Sequence, residues 1–171
     1  MLNSKIEKMV EKADTLKYWV DTLISIVLIF IVGAMTMLVT YQVVARYLFN
    51  SPSGMSEVLS RYCFIWLILI GSAYVFGLKE HMAITFVKQK FTPKMQIYVE
   101  MFTEFSTAVF AFSIMIIGGY SSAARQMWQL DSALQIPMGV IYSAIPISGG
   151  LIIFYFLYQE LNLFHRLKQF K

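Results

Sequence analysis

The sequence is poor in charged residues, and long stretches of it have none. Charged side chains make up 14% of the 171 residues, whereas 58% are hydrophobic, and the mean hydropathy is +0.63. A water-soluble domain of this size needs a polar surface that such a composition does not supply. The composition therefore excludes a soluble protein and predicts a single integral membrane domain over residues 1–171.

The sequence also has few residues that carry redox or metal chemistry. Cys63 is the one cysteine, which excludes an intramolecular disulfide and the paired cysteines of redox or zinc motifs. The two histidines, His81 and His165, lie outside the uncharged stretches, whereas a membrane haem protein needs histidines within them. His81 has too few other ligands nearby for a metal site, so we expect it to make a structural hydrogen bond or a charged contact. No enzyme activity and no cofactor are predicted.

Four uncharged stretches are long enough to cross a membrane. About 20 apolar residues span the hydrocarbon as a helix, and a helix satisfies its own backbone hydrogen bonds in lipid. The first stretch follows a long segment of mixed charge and ends without a small-residue cleavage site, so it does not resemble a signal peptide. The predicted crossings cover residues 22–46, 56–78, 93–124 and 137–159.

Two shorter segments are amphipathic. Residues 4–20 place apolar side chains such as Ile6 on one helical face, with lysines and glutamates largely opposite, and Trp19 marks headgroup depth. Residues 80–91 carry a similar apolar face between lysines. Both segments are predicted to lie on the membrane surface and to contact anionic phospholipids. The alternative for the first segment is a soluble extension of the first crossing.

The basic residues are unevenly distributed along the chain. The net charge of +4 does not indicate nucleic-acid binding, because the basic residues lie between apolar stretches and are not gathered on one face. Of the 14 lysines and arginines, only Arg46, Arg61 and Arg125 lie at the connectors after the first and third crossings. The positive-inside rule therefore predicts cytoplasmic termini, including a basic tail at residues 160–171. The predicted fold class is an all-α integral membrane protein with four transmembrane helices and short amphipathic interfacial helices on the cytoplasmic side.

Prolines mark several of the predicted helix boundaries. Pro52 and Ser53 suit the start of the second crossing, and Thr92 and Pro93 suit the start of the third. Pro146 lies within the fourth crossing, where we expect it to kink the helix.

Two charged pairs lie near the ends of the crossings. Glu57 and Arg61 are four residues apart, which fits a local ion pair or a contact with another subunit or with Arg46. Glu100 and Glu104 share a helical face. They fit a proton or cation path, or a carboxylate pair at the inner membrane boundary that contacts nearby lysines or a partner.

Two classes of function fit these observations. A self-contained small transporter needs an ionisable or polar site near the membrane midplane, usually with broken helices, and the crossings carry no charged residue at that depth. An accessory subunit instead buries its polar ends against a larger membrane protein. Small residues such as Gly71 and Ser148 would let another helix approach closely. The accessory subunit is the better fit.

A series of short motifs adds a more specific indication. In chain order they are Arg46-Tyr47-Leu48-Phe49-Asn50, Ser56-Glu57, Trp66, Gly71-Ser72-Ala73, Glu80-His81-Met82-Ala83-Ile84, Ser132-Ala133-Leu134-Gln135-Ile136-Pro137 and the Pro146–Gly149 region. Their order and spacing resemble the small four-helix membrane subunit of tripartite ATP-independent periplasmic (TRAP) transporters, the DctQ-like family, over most of residues 20–160. The chain has Met55 and Val58 where the family usually has a tryptophan and a second acid.

This resemblance implies a non-catalytic subunit in the bacterial inner membrane. In such systems a large membrane subunit, an obligate partner of the small one, moves an organic acid with a sodium gradient. A soluble periplasmic protein delivers the substrate, and the small subunit braces the large one and helps to receive the delivery protein. As a separate short chain it is most similar to the sialic acid systems, with C4-dicarboxylate systems as the alternative. A self-contained ion-coupled transporter that uses Glu100 and Glu104 is the other alternative.

The resemblance also directs attention to two sets of residues. Only the two outer connectors expose polar groups at the periplasmic end, so the predicted surface for the binding protein consists of Arg46, Asn50, Ser53, Gln126, Trp128 and Asp131. The residues predicted to serve structure or to contact the large subunit are Glu57, Arg61, Gly71, His81, Glu100, Glu104 and Ser148.

Overall fold

A computed structural model describes residues 2–51, 53–78 and 93–169, with side chains within 11–51, 53–78 and 95–163. The helices are α1 (Leu2–Tyr47), α2 (Gly54–Leu78), α3 (Pro93–Phe110), a π-helical segment (Ala111–Gly118), α4 (Gly119–Gln126), α5 (Met138–Tyr142) and α6 (Ala144–Gln169). Four helical stretches among these residues are long and apolar enough to cross a membrane. This confirms the predicted all-α fold with four crossings.

The helix that contains the first predicted crossing begins before that crossing. Residues 4–20 and the first crossing form one continuous helix of 46 residues, α1. The sequence has no proline or glycine before Gly33, so nothing in it ends a helix near residue 21. The structure thus has no helix break between the two predicted segments, while the bounds of the crossing and the position of residues 4–20 at the membrane surface stay predictions. The predicted interfacial segment 80–91, with His81, lies outside the described residues.

The third crossing contains a π-helical segment, which is wider than an α-helix and which the sequence pattern does not predict. Ala111–Gly118 form a π-helix between α3 and α4, a form that occurs mostly as short insertions in α-helices. Gly149 of the fourth crossing lies against this segment. A Cβ atom at Gly149 would lie 2.8 Å from Met115 Cβ and 3.3 Å from the carbonyl oxygen of Ala111. The glycine therefore allows the two backbones to approach closely at the widened turn.

The fourth crossing is interrupted near Pro146. Helix α5 ends at Tyr142, and α6 begins at Ala144. Proline has no N–H group, so Pro146 cannot donate to the carbonyl oxygen of Tyr142, four residues earlier. Hydrogen bonding continues on both sides, from Ser143 N to Gly139 O (2.9 Å) and from Ile147 N to Ser143 O (3.2 Å). The interruption lies within one turn of Pro146, where a proline distortion is expected.

The crossings pack in the order α1, α2, α6 and α3. Helix α1 packs against α2 and, less extensively, against α6, while α3 and the π-helical segment pack against the other side of α6. The shared core is formed by Ile24, Ile70, Ala73, Phe76, Ala111, Ile152 and Tyr155. In the most apolar 18 residues of each crossing, 33% of the residues are buried in the fourth crossing and 6% in the first. The fourth crossing is therefore the structural centre, and the first crossing lies at the edge.

Polar side chains gather at the two ends of these helices. We call the end with the α1–α2 and α4–α5 connectors the outer end, and the opposite end the inner end.

Candidate functional site at the two polar ends

The α4–α5 connector at the outer end is folded around Asp131. Its Oδ1 atom accepts hydrogen bonds from the backbone N–H groups of Ala133 (2.8 Å) and Leu134 (2.9 Å). The backbone N–H of Asp131 donates to Ile136 O (2.9 Å), and its carbonyl accepts from Gln135 N (3.0 Å). Gln135 has a φ of 55°, a left-handed conformation that is uncommon outside glycine. These bonds give the connector one defined shape.

The same carboxylate fastens the connector to the second crossing. The hydroxyl of Tyr62 donates to Asp131 Oδ2 at 2.5 Å. This hydrogen bond, together with the one from the Leu134 amide, holds the pKa of Asp131 below its ordinary value of 3.8, because hydrogen bonds to the charged form favour it. Asp131 was predicted as part of a partner-binding surface. In the structure it is half-buried and its carboxylate is engaged within the chain.

Trp128 protrudes from this connector. Its side chain is 92% exposed, whereas Gln126 is half-buried. An indole that contacts so little of its own chain contributes little to folding. It lies only three residues from the hydrogen-bonded Asp131, so its backbone is well positioned. Trp128 is therefore a residue of the predicted surface whose whole side chain is available to a partner.

The α1–α2 connector carries the other predicted surface residues. Asn50 has a φ of 50°, which asparagine adopts more readily than most residues, and Ser51 N donates to Ala45 O (3.0 Å) to close the end of α1. Arg46 and Asn50 are exposed, and Ser53 is half-buried. Arg46 and Ser53 line a shared cavity of about 260 Å³ together with Gln42, Gly54 and Glu57. Asn50 thus has a role in chain direction that was not predicted.

Gln42 joins the two helices beneath this connector. Its side-chain amide donates to Ser56 O (2.9 Å) and to Ser60 Oγ (3.1 Å). The nearby Arg61 and Glu57 form the local ion pair that the sequence allowed, with 3.4 Å between Nη2 and Oε1. Both side chains are well exposed, at 64% and 58%, so this pair contributes little to stability.

A second polar cluster joins α1 to α6 at the inner end. The Lys17 Nζ atom lies 2.5 Å from Asp21 Oδ2, and the Tyr155 hydroxyl donates to Asp21 Oδ1 at 2.6 Å. One turn further, the Tyr158 hydroxyl donates to Asp14 Oδ1 at 2.7 Å. Lys17 Nζ also lies 5.8 Å and 5.6 Å from the centres of the two tyrosine rings, within the range of cation–π attraction. We call these five residues the inner cluster.

Buried contacts of α2 adjoin the inner cluster. Gln159 is 1% exposed, and its side-chain amide donates to Phe76 O at 2.9 Å. Tyr155 is fully buried and lies directly against Gly77, where any added Cβ atom would overlap its ring. The inner end is therefore joined across three crossings by specific side chains.

The spacing of charged and tyrosine residues in the sequence fits the inner cluster, but it also fits a helix face that contacts water or headgroups. Asp14, Lys17 and Asp21 recur at spacings of three and four residues, and Tyr155 and Tyr158 are three residues apart. Each set lies on one helical face. The charged face of residues 4–20 was expected to face solvent or headgroups, but part of it contacts α6.

The two glutamates of the predicted acidic pair in the third crossing differ in burial. Glu104 is 8% exposed, and Glu100 is half-buried. The neighbouring Phe105 ring lies 6.4 Å from the Phe156 ring, which places Glu104 near the level of Tyr155. Among the residues that the structure describes, no group of three or more histidine, cysteine, aspartate or glutamate side chains could hold a metal ion.

Ser148 and Gly71, the two small residues predicted as contacts, also differ in burial. Ser148 is fully buried, and its hydroxyl donates to Ile145 O at 2.9 Å, so it packs the chain's own helices. A Cβ atom at Gly71 would meet only Leu28 Cδ2, at 4.0 Å. The residue is half-buried, so Gly71 leaves space beside α2.

Four apolar crossings, with polar clusters joining them at both ends, define a multi-pass membrane protein. Comparison of the sequence with protein families places it more narrowly. The chain belongs to the DctQ component family of tripartite ATP-independent periplasmic transporters, whose family model matches residues 35–166. This family is one of transporters and not of enzymes. Membership implies partnership with a large membrane subunit and a periplasmic binding protein, and a place in the inner membrane.

Individual relatives agree with this assignment. A Haemophilus influenzae protein described as a small permease protein of a TRAP transporter is 29% identical over 138 residues, which cover 81% of this chain and 85% of the relative. The sialic acid TRAP transporter small permease protein SiaQ of Vibrio cholerae is 26% identical over 144 residues, which cover 84% and 83%. The chain is thus a small permease subunit of a TRAP transporter.

Proposed function

We propose that this chain braces the large subunit of a sodium-driven organic acid importer and helps to dock its periplasmic binding protein at the outer end. In this proposal both termini are cytoplasmic and the outer end faces the periplasm. Sialic acid is the preferred substrate class, supported by the likeness to SiaQ of Vibrio cholerae. C4-dicarboxylates are the alternative.

The observation that carries the docking proposal is the exposure of Trp128. A tryptophan that is 92% exposed, beside a connector whose backbone is shaped by Asp131, can bury a large area on a partner. Tryptophans that become buried at an interface often contribute strongly to binding. Arg46 and Asn50 are exposed on the other outer connector and can add polar contacts around the anchor.

The bracing proposal rests on the apolar side chains that the four crossings leave exposed. On α1, Ile29, Phe30 and Met37 are 72%, 75% and 76% exposed. On the other edge, Phe102 is 73% exposed. Such faces suit either lipid or another membrane helix, and a partner subunit would cover part of them.

The docking proposal is tested with Trp128→Ala in the complex with the large subunit. Uptake into liposomes is measured while the concentration of binding protein is varied. We expect the half-saturating concentration of binding protein to rise about tenfold, as for loss of an interface anchor. Trp19→Ala is the matched control, because Trp19 is also an exposed tryptophan, at 66%, near the other end of the first crossing. An unchanged half-saturating concentration in the Trp128 variant would show that Trp128 does not anchor the binding protein.

The same assay addresses substrate and coupling. We expect uptake of a sialic acid to need an inward sodium gradient, and an excess of unlabelled sialic acid to compete better than a C4-dicarboxylate. Stronger competition by the dicarboxylate would favour the alternative substrate class.

The burial of Glu104 (8% exposed) keeps a second function open, that of a self-contained ion-coupled transporter. In that case the purified chain alone would carry out uptake, and Glu104→Gln would abolish it. We expect no uptake by the chain alone.

A further inference from the structure

Helix α4, the connector after it and α5 form a hairpin at the outer end. The backbone N–H of Met138 donates to Gln129 O at 2.8 Å across the base of this hairpin. Gly139 of α5 lies so close to α4 that an added Cβ atom would overlap Ala123 O. Helices α4 and α5 pack on each other more extensively than either packs on α2 or α6. These contacts make residues 119–142 one packed unit, which we call the outer hairpin.

Both ends of the outer hairpin join the rest of the chain at an irregular helical turn. Before the hairpin, the π-helical segment ends at Gly118, and α4 begins with the next residue. After it, α5 ends at Tyr142 and α6 begins at Ala144, within one turn of Pro146. Sharp kinks in helices occur mainly at prolines and at π-helical turns. The outer hairpin is therefore connected at both ends through backbone of a kind at which helices bend.

The two irregular turns face each other. A Cβ atom at Gly119 would lie 2.8 Å from Ile145 Cγ2 and 3.1 Å from Pro146 Cδ. The third and fourth crossings can therefore bend at the same level, about one shared axis. The outer hairpin can tilt about such an axis without stretching either crossing, whereas bending points at different levels would oppose each other.

On its other side the outer hairpin contacts the second crossing. Helix α5 packs only lightly on α2, and a groove of about 580 Å³ lies between them, with Ile65 on one side and Ile141 on the other. Beside the groove, the hydroxyl of Tyr62 donates to Asp131 Oδ2 at 2.5 Å and lies 3.6 Å from Met138 Sδ. Tyr62 therefore supplies a hydrogen bond that fixes the hairpin against α2.

We propose that the outer hairpin tilts as one body about the axis through Gly119 and Pro146, and that the hydrogen bond between Tyr62 and Asp131 fixes one of its positions. A hinge of this kind needs only a few residues that absorb the change in backbone angles. A change in kink of about 20° over the 8 residues of α4, about 12 Å at 1.5 Å per residue, moves its outer end by about 4 Å. Because the hinge lies within this chain, its motion does not depend on docking of the binding protein.

The hinge is tested with distances between two spin labels, measured in nanodiscs on the complex with a large subunit that has no reactive cysteine. Cys63 is replaced by serine, and cysteines for labelling replace Ala124 and Leu157, on opposite sides of the hinge. Leu59 and Leu157 form the matched pair, because Leu59 lies at the outer end of α2 and the inner label is shared. All three labelled positions are exposed on helices. We expect the distance distribution of the first pair to be about 4 Å wider than that of the matched pair.

Loss of the hydrogen bond to α2 should increase the motion. Tyr62→Phe removes the donor to Asp131 and should widen the distribution across the hinge further, while the matched pair stays unchanged. Tyr120→Phe is the control, at a tyrosine of the same hairpin that is 71% exposed, and it should have no effect. If the native distribution across the hinge is as narrow as that of the matched pair and stays so in Tyr62→Phe, the hairpin is fixed and the proposal is wrong.

Repair of the interrupted fourth crossing should have the opposite effect. Pro146→Ala supplies the N–H group that can donate to Tyr142 O and continue the helix. We expect it to narrow the distribution across the hinge towards the width of the matched pair. Pro137→Ala, at a proline inside the outer hairpin, is the control and should leave the width unchanged. Equal effects of the two proline variants would contradict a hinge at Pro146.

Discussion

The inner and outer ends of this subunit use polar side chains in different ways. At the inner end, side chains from α1 bond to side chains of α6, across 134 residues in the case of Asp21 and Tyr155. At the outer end, Asp131 bonds mainly to the backbone of its own connector, and Tyr62 adds one tie to a neighbouring helix. The inner cluster therefore joins the first crossing to the fourth, whereas Asp131 shapes the loop that presents Trp128; at the outer end Gln42 joins α1 to α2.

The difference matters because the shared core of the crossings is apolar. In a bilayer, apolar packing gives little preference for one helix neighbour over lipid. The peripheral α1, with few buried residues, needs polar contacts to fix its position. A loop that meets a partner in water needs a defined shape more than a strong attachment.

The largest expected effect is at the inner cluster. Asp21→Ala removes the partner of Lys17 and of the Tyr155 hydroxyl, and the side chains of Lys17 and Asp21 are only 17% and 19% exposed. Removing one member of a mostly buried ion pair costs about 3 kcal/mol, so we expect a clear fall in the unfolding temperature of the detergent-solubilised complex. Tyr155→Phe keeps the ion pair and should cost only about 1 kcal/mol. Equal, small effects for both variants would mean that the inner cluster does not fasten α1.

A smaller and more local effect is expected at the outer end. Asp131→Ala removes the acceptor for the amides of Ala133 and Leu134 and the tie to Tyr62. Hydrogen exchange at these two amides should rise several-fold, while the unfolding temperature changes little. Ser132→Ala, which keeps the acceptor, is the control. A global loss of stability in the Asp131 variant would mean that the outer end also fastens the helices.

The outer end should also respond to acid. The pKa of Asp131 is lowered in the folded chain, mainly by the Tyr62 hydrogen bond. A carboxyl of this kind stabilises the folded loop above its ordinary pKa of 3.8 and loses that contribution as pH falls through the lowered value. Fluorescence of Trp128, followed in a variant that keeps only this tryptophan, should therefore be constant at neutral pH and change below pH 3.8. The additional change Asp131→Asn should abolish that transition.

The smallest effect concerns the ion pair on the second crossing. Glu57→Gln breaks an exposed pair with Arg61, and such pairs contribute about 0.5 kcal/mol or less. We expect the unfolding temperature to stay within the error of measurement. A larger fall would show that Glu57 contacts a partner in the assembled complex, the alternative that the sequence leaves open.

The sequence predicts the features of this subunit that depend on local composition. Long uncharged runs give the four crossings, and Pro146 gives the interruption of the fourth, because each follows from a property of a few neighbouring residues. The shape of the outer connector could not be predicted from the sequence, because a lone aspartate such as Asp131 can equally face solvent.

Features that depend on distant partners could not be predicted. The charged residues Asp14 and Asp21 fit a water-facing helix side equally well until α6 is placed beside them. The π-helical segment Ala111–Gly118 lies against Gly149 of the fourth crossing, a contact between distant residues that local propensity does not predict. Continuity of α1 was predictable in principle, because no helix-breaking residue precedes Gly33, but the change from amphipathic to apolar pattern favoured two helices.

The length of α1 has a mechanical consequence. At 1.5 Å per residue its 46 residues extend about 69 Å, whereas a bilayer with its headgroups is about 40–45 Å thick. About 25 Å of this helix must therefore project beyond the membrane or run along its surface. Asp21 is the last charged residue before the uncharged run of α1, and its hydrogen bond to Tyr155 joins this point of the helix to α6. A force applied to the N-terminal part of α1 would therefore act on α6, the helix on which the rest of the subunit is packed.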